Sequence, residues 1–128
     1  MHTLYSFRRC PYAMRGRMAL ALMDPQIEVR EILLRDKPPS MLEASPKGTV
    51  PVFITAEGQL IEESLDLVIW AIAENSPQWL QYGGLEEQKA YIEKFDSEFK
   101  PLLDAYKYTR PGAEHPGSYY RDLAEGWL

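Results

Sequence analysis

Proline placement sets the tightest constraint on what this 128-residue chain can fold into. A proline has no amide donor and a φ fixed at about −65°, so it stands at element starts and in connections. Pro11, Pro25, the pair Pro38-Pro39, Pro51 and Pro77 therefore cut the first part of the sequence into short strands and short helices. Thr3-Leu4-Tyr5-Ser6-Phe7 reads as a strand. Pro11 suits the first position of a helix, and Met14, Met18, Ala21 and Leu22 continue it at spacings of three and four until Asp24-Pro25 ends it. Ile27 to Leu34, β-branched and apolar, reads as a second strand. Lys37-Pro38-Pro39-Ser40 opens an irregular connection with one helical turn around Met41 to Ala44. Pro51-Val52-Phe53-Ile54 and Leu60-Ile61 flank the turn Ala56-Glu57-Gly58-Gln59, which makes a hairpin with Gly58 where φ must be positive. Ser64 is a suitable N-cap for a helix carrying Leu65, Val68, Ile69 and Ile72 on one stripe, and Asn75-Ser76-Pro77 stops it.

The order β-α-β, loop, β-β-α predicts an α/β domain over residues 1–78. Residues 79–85, with Tyr82-Gly83-Gly84, read as a linker, and 86–128 as a partial all-α domain. There Tyr91, Ile92, Phe95, Phe99, Leu102, Leu103 and Tyr106 keep helical spacing, with Pro101 expected to kink or split the helix. Residues 110–117 read as a loop. Ser118 is placed to cap a last helix through Tyr119, Tyr120, Leu123 and Trp127. Two amphipathic helices of this size do not enclose a core alone. The helical region is thus expected to be a domain cut short, with Trp127 meeting a missing partner.

With 45% hydrophobic residues the chain can bury a real core, and a net charge of −5 argues against a general nucleic-acid or anionic-membrane binder. No apolar run approaches the roughly 20 residues of a membrane span, and no secretory leader is visible. A single cysteine excludes a disulfide framework, and with only His2 and His115 beside it a zinc cluster is not expected.

That one thiol, Cys10, sits in Arg9-Cys10-Pro11-Tyr12-Ala13, at or next to the cap of the first helix. Residues 1–23 carry four arginines, Arg8, Arg9, Arg15 and Arg17, and no acid. Free backbone N–H groups, the positive end of the helix dipole and neighbouring cations all favour the thiolate, a nucleophile for disulfides and electrophilic carbon. The alternative is a buried cysteine acting as a small hydrophobe. A second feature is Gly48-Thr49-Val50-Pro51-Val52. It reads either as an ordinary strand start or as a cis proline that leaves the main chain of the preceding residue free for a peptide ligand. A third is Glu62-Glu63-Ser64, where carboxylate, hydroxyl and helix-start N–H groups can hold an ammonium and a carboxylate together, or simply cap the helix.

Taken in order and with this spacing, the three features resemble the thioredoxin-fold N-terminal domain of cytosolic glutathione transferases. The similarity is greatest to the cysteine-type branches, such as the omega class, and to two-domain bacterial glutaredoxins. It rests on the stretches Tyr5 to Tyr12, Arg35-Asp36-Lys37-Pro38, Ser45 to Val52 and Gly58 to Ser64, and covers residues 3–75. The resemblance implies a mixed four-stranded sheet, glutathione as ligand and co-substrate, no other cofactor and no metal. It implies that Cys10 forms a mixed disulfide with glutathione and that the main chain of Val50 pairs with the cysteinyl part. Glu63 and Ser64 would hold the γ-glutamyl end and Lys37 would reach the glycine carboxylate, with Pro11, Tyr12, Thr49 and Pro51 lining the site. Tyr5 and Ser6, the residue types by which other branches activate glutathione, are weaker candidates than Cys10.

Ala13 stands where dithiol glutaredoxins have a second cysteine, so a thiol cycle must use a second glutathione as resolving thiol. The leading expectation is a cytoplasmic, monothiol, glutathione-dependent thiol transferase acting on a glutathionylated thiol. A variant conjugates glutathione to a small electrophile. The alternative from another class is a transferase-like binding or assembly module without turnover. A homodimer is expected, with Tyr119, Leu123 and Trp127 exposed and no nucleic-acid or membrane partner.

Overall fold

The computed structural model describes residues 1–22, 26–75, 78–79 and 84–128, in two compact units, Met1–Leu80 and Gln81–Leu128. The expected stops at Asp24-Pro25 and Ser76-Pro77, and most of the expected linker 79–85, lie outside the described residues.

In the first unit β1 (His2–Ser6), α1 (Pro11–Ala21) and β2 (Ile27–Glu31) are followed by α2 (Pro39–Ala44). The hairpin β3 (Val52–Ile54) and β4 (Leu60–Ile61) and the helix α3 (Ser64–Asn75) complete it. The four strands form one sheet in the order β2-β1-β3-β4, parallel between β1 and β2 and antiparallel elsewhere. This is the mixed four-stranded, thioredoxin-like arrangement that the sequence led us to expect. Gly58 has φ +89°, as the hairpin turn requires.

Successive side chains on a strand face opposite sides of the sheet, and that alternation builds two cores. Leu4 and Phe53 meet Ala19 and Leu20 of α1 and Leu67 and Ala71 of α3 on one side. Their chain neighbours Tyr5 and Val52 meet Met41 of α2 and Ile32 on the other. At the sheet's end Trp70 closes on the rings of Phe53 and His2.

The helix faces differ from those expected. In α1 the buried residues are Ala13, Gly16, Ala19 and Leu20, whereas Met14, Met18 and Leu22 are exposed, Met18 at 73%. In α3 the buried positions are Ser64, Leu67 and Ala71, and Leu65, Val68, Ile69 and Ile72 are only half-buried. The physical reason is the close approach of α1 to α3. Gly16 lies directly against Leu67, so small residues, not the bulkiest apolar ones, mark the contact face. Two ends also shift. β2 stops at Glu31, with Ile32 turning into the core and Leu33 and Leu34 exposed. The carbonyl of Glu63 accepts the first helical bond, from Leu67 N–H at 3.0 Å, which puts Ser64 inside α3 and not at its cap.

The second unit contains α4 (Leu85–Lys94), a π-helical segment (Phe95–Phe99), α5 (Lys100–Lys107) and α6 (Gly117–Trp127). Pro101 does not split the helix. The turn before it widens instead, and Lys100 N–H bonds the Phe95 carbonyl, five residues back. A wider turn gives the proline ring the room that a regular turn would deny it. Pro116, not Ser118, stands at the cap of α6. Trp127 is packed within its own unit, against Tyr91, Phe95 and Phe99, with its indole N–H donating to Glu98 at 3.0 Å. Tyr119 and Leu123 are exposed, as expected. Among the described residues no helix is long and apolar enough to cross a membrane.

Candidate functional site

Cys10 is the N-cap of α1, in extended backbone geometry (φ −78°, ψ 119°), with Pro11 as the first helical residue and Tyr12 as the second. A cap residue offers its side chain to the free amides of the first turn. Here the thiol sulfur does so, accepting the Ala13 N–H at 3.5 Å. The thiol in turn donates to the Val50 carbonyl, with Sγ 3.8 Å from the oxygen. Cys10 is half-buried, and its sulfur is held by two main-chain groups.

The loop ahead of Cys10 is braced from behind. Arg17 donates to Ser6 Oγ at 2.6 Å and to the carbonyls of Phe7 and Arg8 at 3.3 and 2.9 Å, and Cys10 N–H bonds the Phe7 carbonyl at 3.0 Å. Arg9 lies over the Phe7 ring. The basic island expected to surround the thiol is thus divided. Arg17 holds the loop that presents Cys10, because the buried Ser6 hydroxyl and two main-chain carbonyls there need a donor.

Val50 is carried by the turn Ser45 to Gly48, and the Val50–Pro51 peptide is cis. Gly48 has φ +67°, and its N–H closes on the Ser45 carbonyl at 3.0 Å. Lys37 lies along this turn, its Nζ 3.4 Å from where a Cβ on Gly48 would sit. Thr49 is exposed between Gly48 and Val50. Two neighbouring carboxylates tie the turn to the start of α3. Glu62 accepts the buried Ser45 hydroxyl at 2.5 Å, and Glu63 forms an ion pair with Lys47. The hydrogen bond that Lys47 donates to Glu63 raises it above the ordinary lysine value.

Ser64, buried in the first turn of α3, accepts Arg15 Nη1 at 3.3 Å, and Arg15 also lies over the Tyr12 ring. Cys10, Pro11, Tyr12, Lys37, Thr49, Val50, Pro51, Glu63 and Ser64 therefore fall on four segments of the first unit: the start of α1, the connection ahead of α2 that carries Lys37, the turn leading into β3 and the start of α3. Arg15, Ser45 and Lys47 belong to the same linked set; Ser45 and Lys47 were given no role from the sequence, and Arg15 only that of one cation among four near the thiol. Arg15 was within reach of a local signal, since it follows Tyr12 at i+3 on a helix. Tyr5 and Ser6 are structural. The buried Tyr5 hydroxyl donates to Ser40 and accepts from Arg30, and Ser6 Oγ accepts from Arg17.

A half-buried thiol at a helix start, beside the carbonyl of a residue preceding a cis proline, is suited to sulfur exchange on a peptide-like thiol. Comparison with known proteins identifies the family. The family model described as "Glutathione S-transferase, N-terminal domain" matches residues 4–79, more than half of the chain. The chain belongs to the glutathione S-transferase family. It is 44% identical over 62 residues to glutathione S-transferase omega-2 of Homo sapiens, a match covering 48% of this chain and 26% of that protein. Glutathione S-transferase omega-1 of Mus musculus is 40% identical over the same length, with the same coverage of each chain. These matches span about a quarter of the relatives' own length. Among solved structures, glutathione transferase Omega 3C from Trametes versicolor superposes over 98% of this chain and 57% of its own with a TM-score of 0.78. At 19% sequence identity that likeness shows the shared fold. The sequence resemblance to the omega-like, cysteine-type branch of the glutathione S-transferase family is thereby upheld.

Proposed function

We propose that the protein is a monothiol, glutathione-dependent thiol transferase with Cys10 as its nucleophile. The observation that carries this reading is the position of Sγ, held between the Ala13 N–H and the Val50 carbonyl at the start of α1. The Cys10 thiolate attacks the glutathione sulfur of a glutathionyl mixed disulfide. A Cys10–glutathione disulfide forms, the substrate's S–S bond breaks, and the substrate thiolate leaves. A second glutathione thiolate then attacks that disulfide, releasing oxidised glutathione and restoring Cys10. Ala13 supplies no second thiol for an internal route, so glutathione is co-substrate and resolving thiol and no bound cofactor is used.

In this reading the Val50 main chain pairs with the cysteinyl part of glutathione. Ser64 and the first amides of α3 receive the γ-glutamyl carboxylate, Glu63 its ammonium, and Lys37 the glycine carboxylate. Pro11, Tyr12, Thr49 and Pro51 line the cleft. A thiol cycle fed by glutathione belongs in a reducing compartment, which makes the cytoplasm the proposed location, and the active form is proposed to be a homodimer.

The test is a mass spectrum after incubation with oxidised glutathione. A single glutathionyl adduct mapped to Cys10, released by added glutathione and absent in Cys10→Ser, is the expected result. An unmodified wild-type protein refutes the mechanism. Transferase activity that survives in Cys10→Ser assigns the chain to conjugation of glutathione with small electrophiles instead. An adduct that free glutathione fails to release makes the chain a binding module without turnover.

A further inference from the structure

The acid assigned above to the ligand's ammonium is already held by an ammonium of the protein. Ser45-Pro46-Lys47-Gly48 is a tight turn, closed by the bond from Gly48 N–H to Ser45 and fixed in place by the half-buried bond from Ser45 to Glu62. That anchorage leaves Lys47 on the outer side of the turn, opposite Glu63, and the two form an ion pair. The pair is solvated, with 43% of the Lys47 side chain and 64% of that of Glu63 exposed. Glu62 and Glu63 are adjacent in sequence yet differ in kind. The first is committed to the buried hydroxyl of Ser45, while the second is bound to an exposed partner that can swing away at little cost.

We infer that Lys47 is an internal stand-in for the α-ammonium of the γ-glutamyl group, and that it sets how strongly the site selects ligands carrying that amine. The inference rests on the glutathione reading above. A ligand ammonium must displace Lys47 to reach Glu63, so part of its gain is cancelled by the pair it breaks. A ligand of the same shape without the amine leaves the pair intact and meets no such competition. Lys47 thus narrows the difference between the two ligands and acts as a specificity-determining residue. An exposed ion pair contributes little, which makes the expected effect about 1.5-fold to 5-fold in affinity.

The experiment is isothermal titration of the whole chain with S-methylglutathione, which cannot exchange disulfides with Cys10. A second titration uses the S-methyl derivative of glutaryl-Cys-Gly, the same molecule without its amino group. In Lys47→Gln, S-methylglutathione is expected to bind about 1.5-fold to 5-fold tighter than to the wild type, with no gain for the glutaryl analogue. Lys47→Arg keeps the pair and is expected to behave as wild type. A parallel gain for both ligands, or unchanged or weaker binding of S-methylglutathione to Lys47→Gln, overturns the role of Lys47. Failure of S-methylglutathione to bind any of the three proteins refutes the glutathione reading itself, and the inference falls with it. Matching urea midpoints for the variants confirm that the comparison is between folded proteins.

Discussion

Gly16 is where a one-atom change tests the packing that holds the site. A Cβ on this residue would sit 2.8 Å from Leu67 Cδ2 and 3.6 Å from Pro51 Cγ. Carbon atoms in contact prefer about 3.5–4.0 Å, and Leu67 is fully buried, so its methyl has no empty space to enter. Two opposing effects decide the sign of Gly16→Ala. Helix propensity favours alanine by about 0.5–1 kcal/mol. Overpacking a close-fitted core costs about 1–3 kcal/mol. The overlap is large enough for the second to win, giving a net loss of about 1 kcal/mol and a fall in Tm of about 4–8 °C for a unit of this size. Urea unfolding followed by far-ultraviolet circular dichroism measures it. The decisive control is a cycle with Leu67→Ala, which alone should cost about 2–5 kcal/mol. With the Leu67 methyls gone, Gly16→Ala should become favourable by about 0.5–1 kcal/mol, so the two sites couple strongly. A stabilising Gly16→Ala in the wild type, or the same change in both backgrounds, would refute the packing argument. Because Pro51 shares the contact, the destabilised variant should also form the Cys10 adduct more slowly.

Two further perturbations probe the supports on either side of the thiol. Ser45→Ala removes the buried donor to Glu62 and leaves a carboxylate without its partner, which should lower stability by about 1–3 kcal/mol in urea unfolding. An unchanged midpoint would mean that the turn before Val50 is held by something else. Arg17→Met keeps the aliphatic stem and deletes the guanidinium that binds Ser6, Phe7 and Arg8. It should speed amide hydrogen exchange in the loop at residues 7–10 and cost about 1–3 kcal/mol, and unaltered exchange there would rule out the bracing role.

How far the fold can be read from the chain follows from the range over which each signal acts. Pro11 and Gly58 report backbone constraints that act within one or two residues, and the structure has a helix beginning at Pro11 and a positive φ at Gly58. The strand character of the stretches around Tyr5 and Phe53 is equally local. The helix faces are not. Met14, Met18 and Leu22 satisfy a helical stripe as well as Ala13, Gly16, Ala19 and Leu20 do, and only the distance to α3 decides between them. A distance between two helices is a tertiary quantity, and no periodicity within α1 encodes it. Pro101 shows the same limit. The missing amide was legible, but whether the helix breaks or widens was not, and here it widens over Phe95–Phe99, a segment whose two phenylalanine rings pack on Trp127.

The site divides along the same line. The residue types that suit each part of a peptide thiol could be found one by one, because a cysteine before Pro11, a proline opening a strand and an acid before Ser64 each carry local chemistry. The wiring among them could not. Ser45 meets Glu62, Lys47 meets Glu63 and Arg15 meets Ser64 across 17, 16 and 49 positions of sequence. Ion pairs and hydrogen bonds of this kind leave no periodic trace, since a lysine in a Pro-Gly turn looks the same whether it faces water or a carboxylate. The sequence therefore supports an acid at position 63 free to meet a ligand, while the folded chain supplies that acid with a rival partner. The difference between those two situations is the quantity that the Lys47→Gln titration reads, and it exists only once the turn at Gly48 has closed.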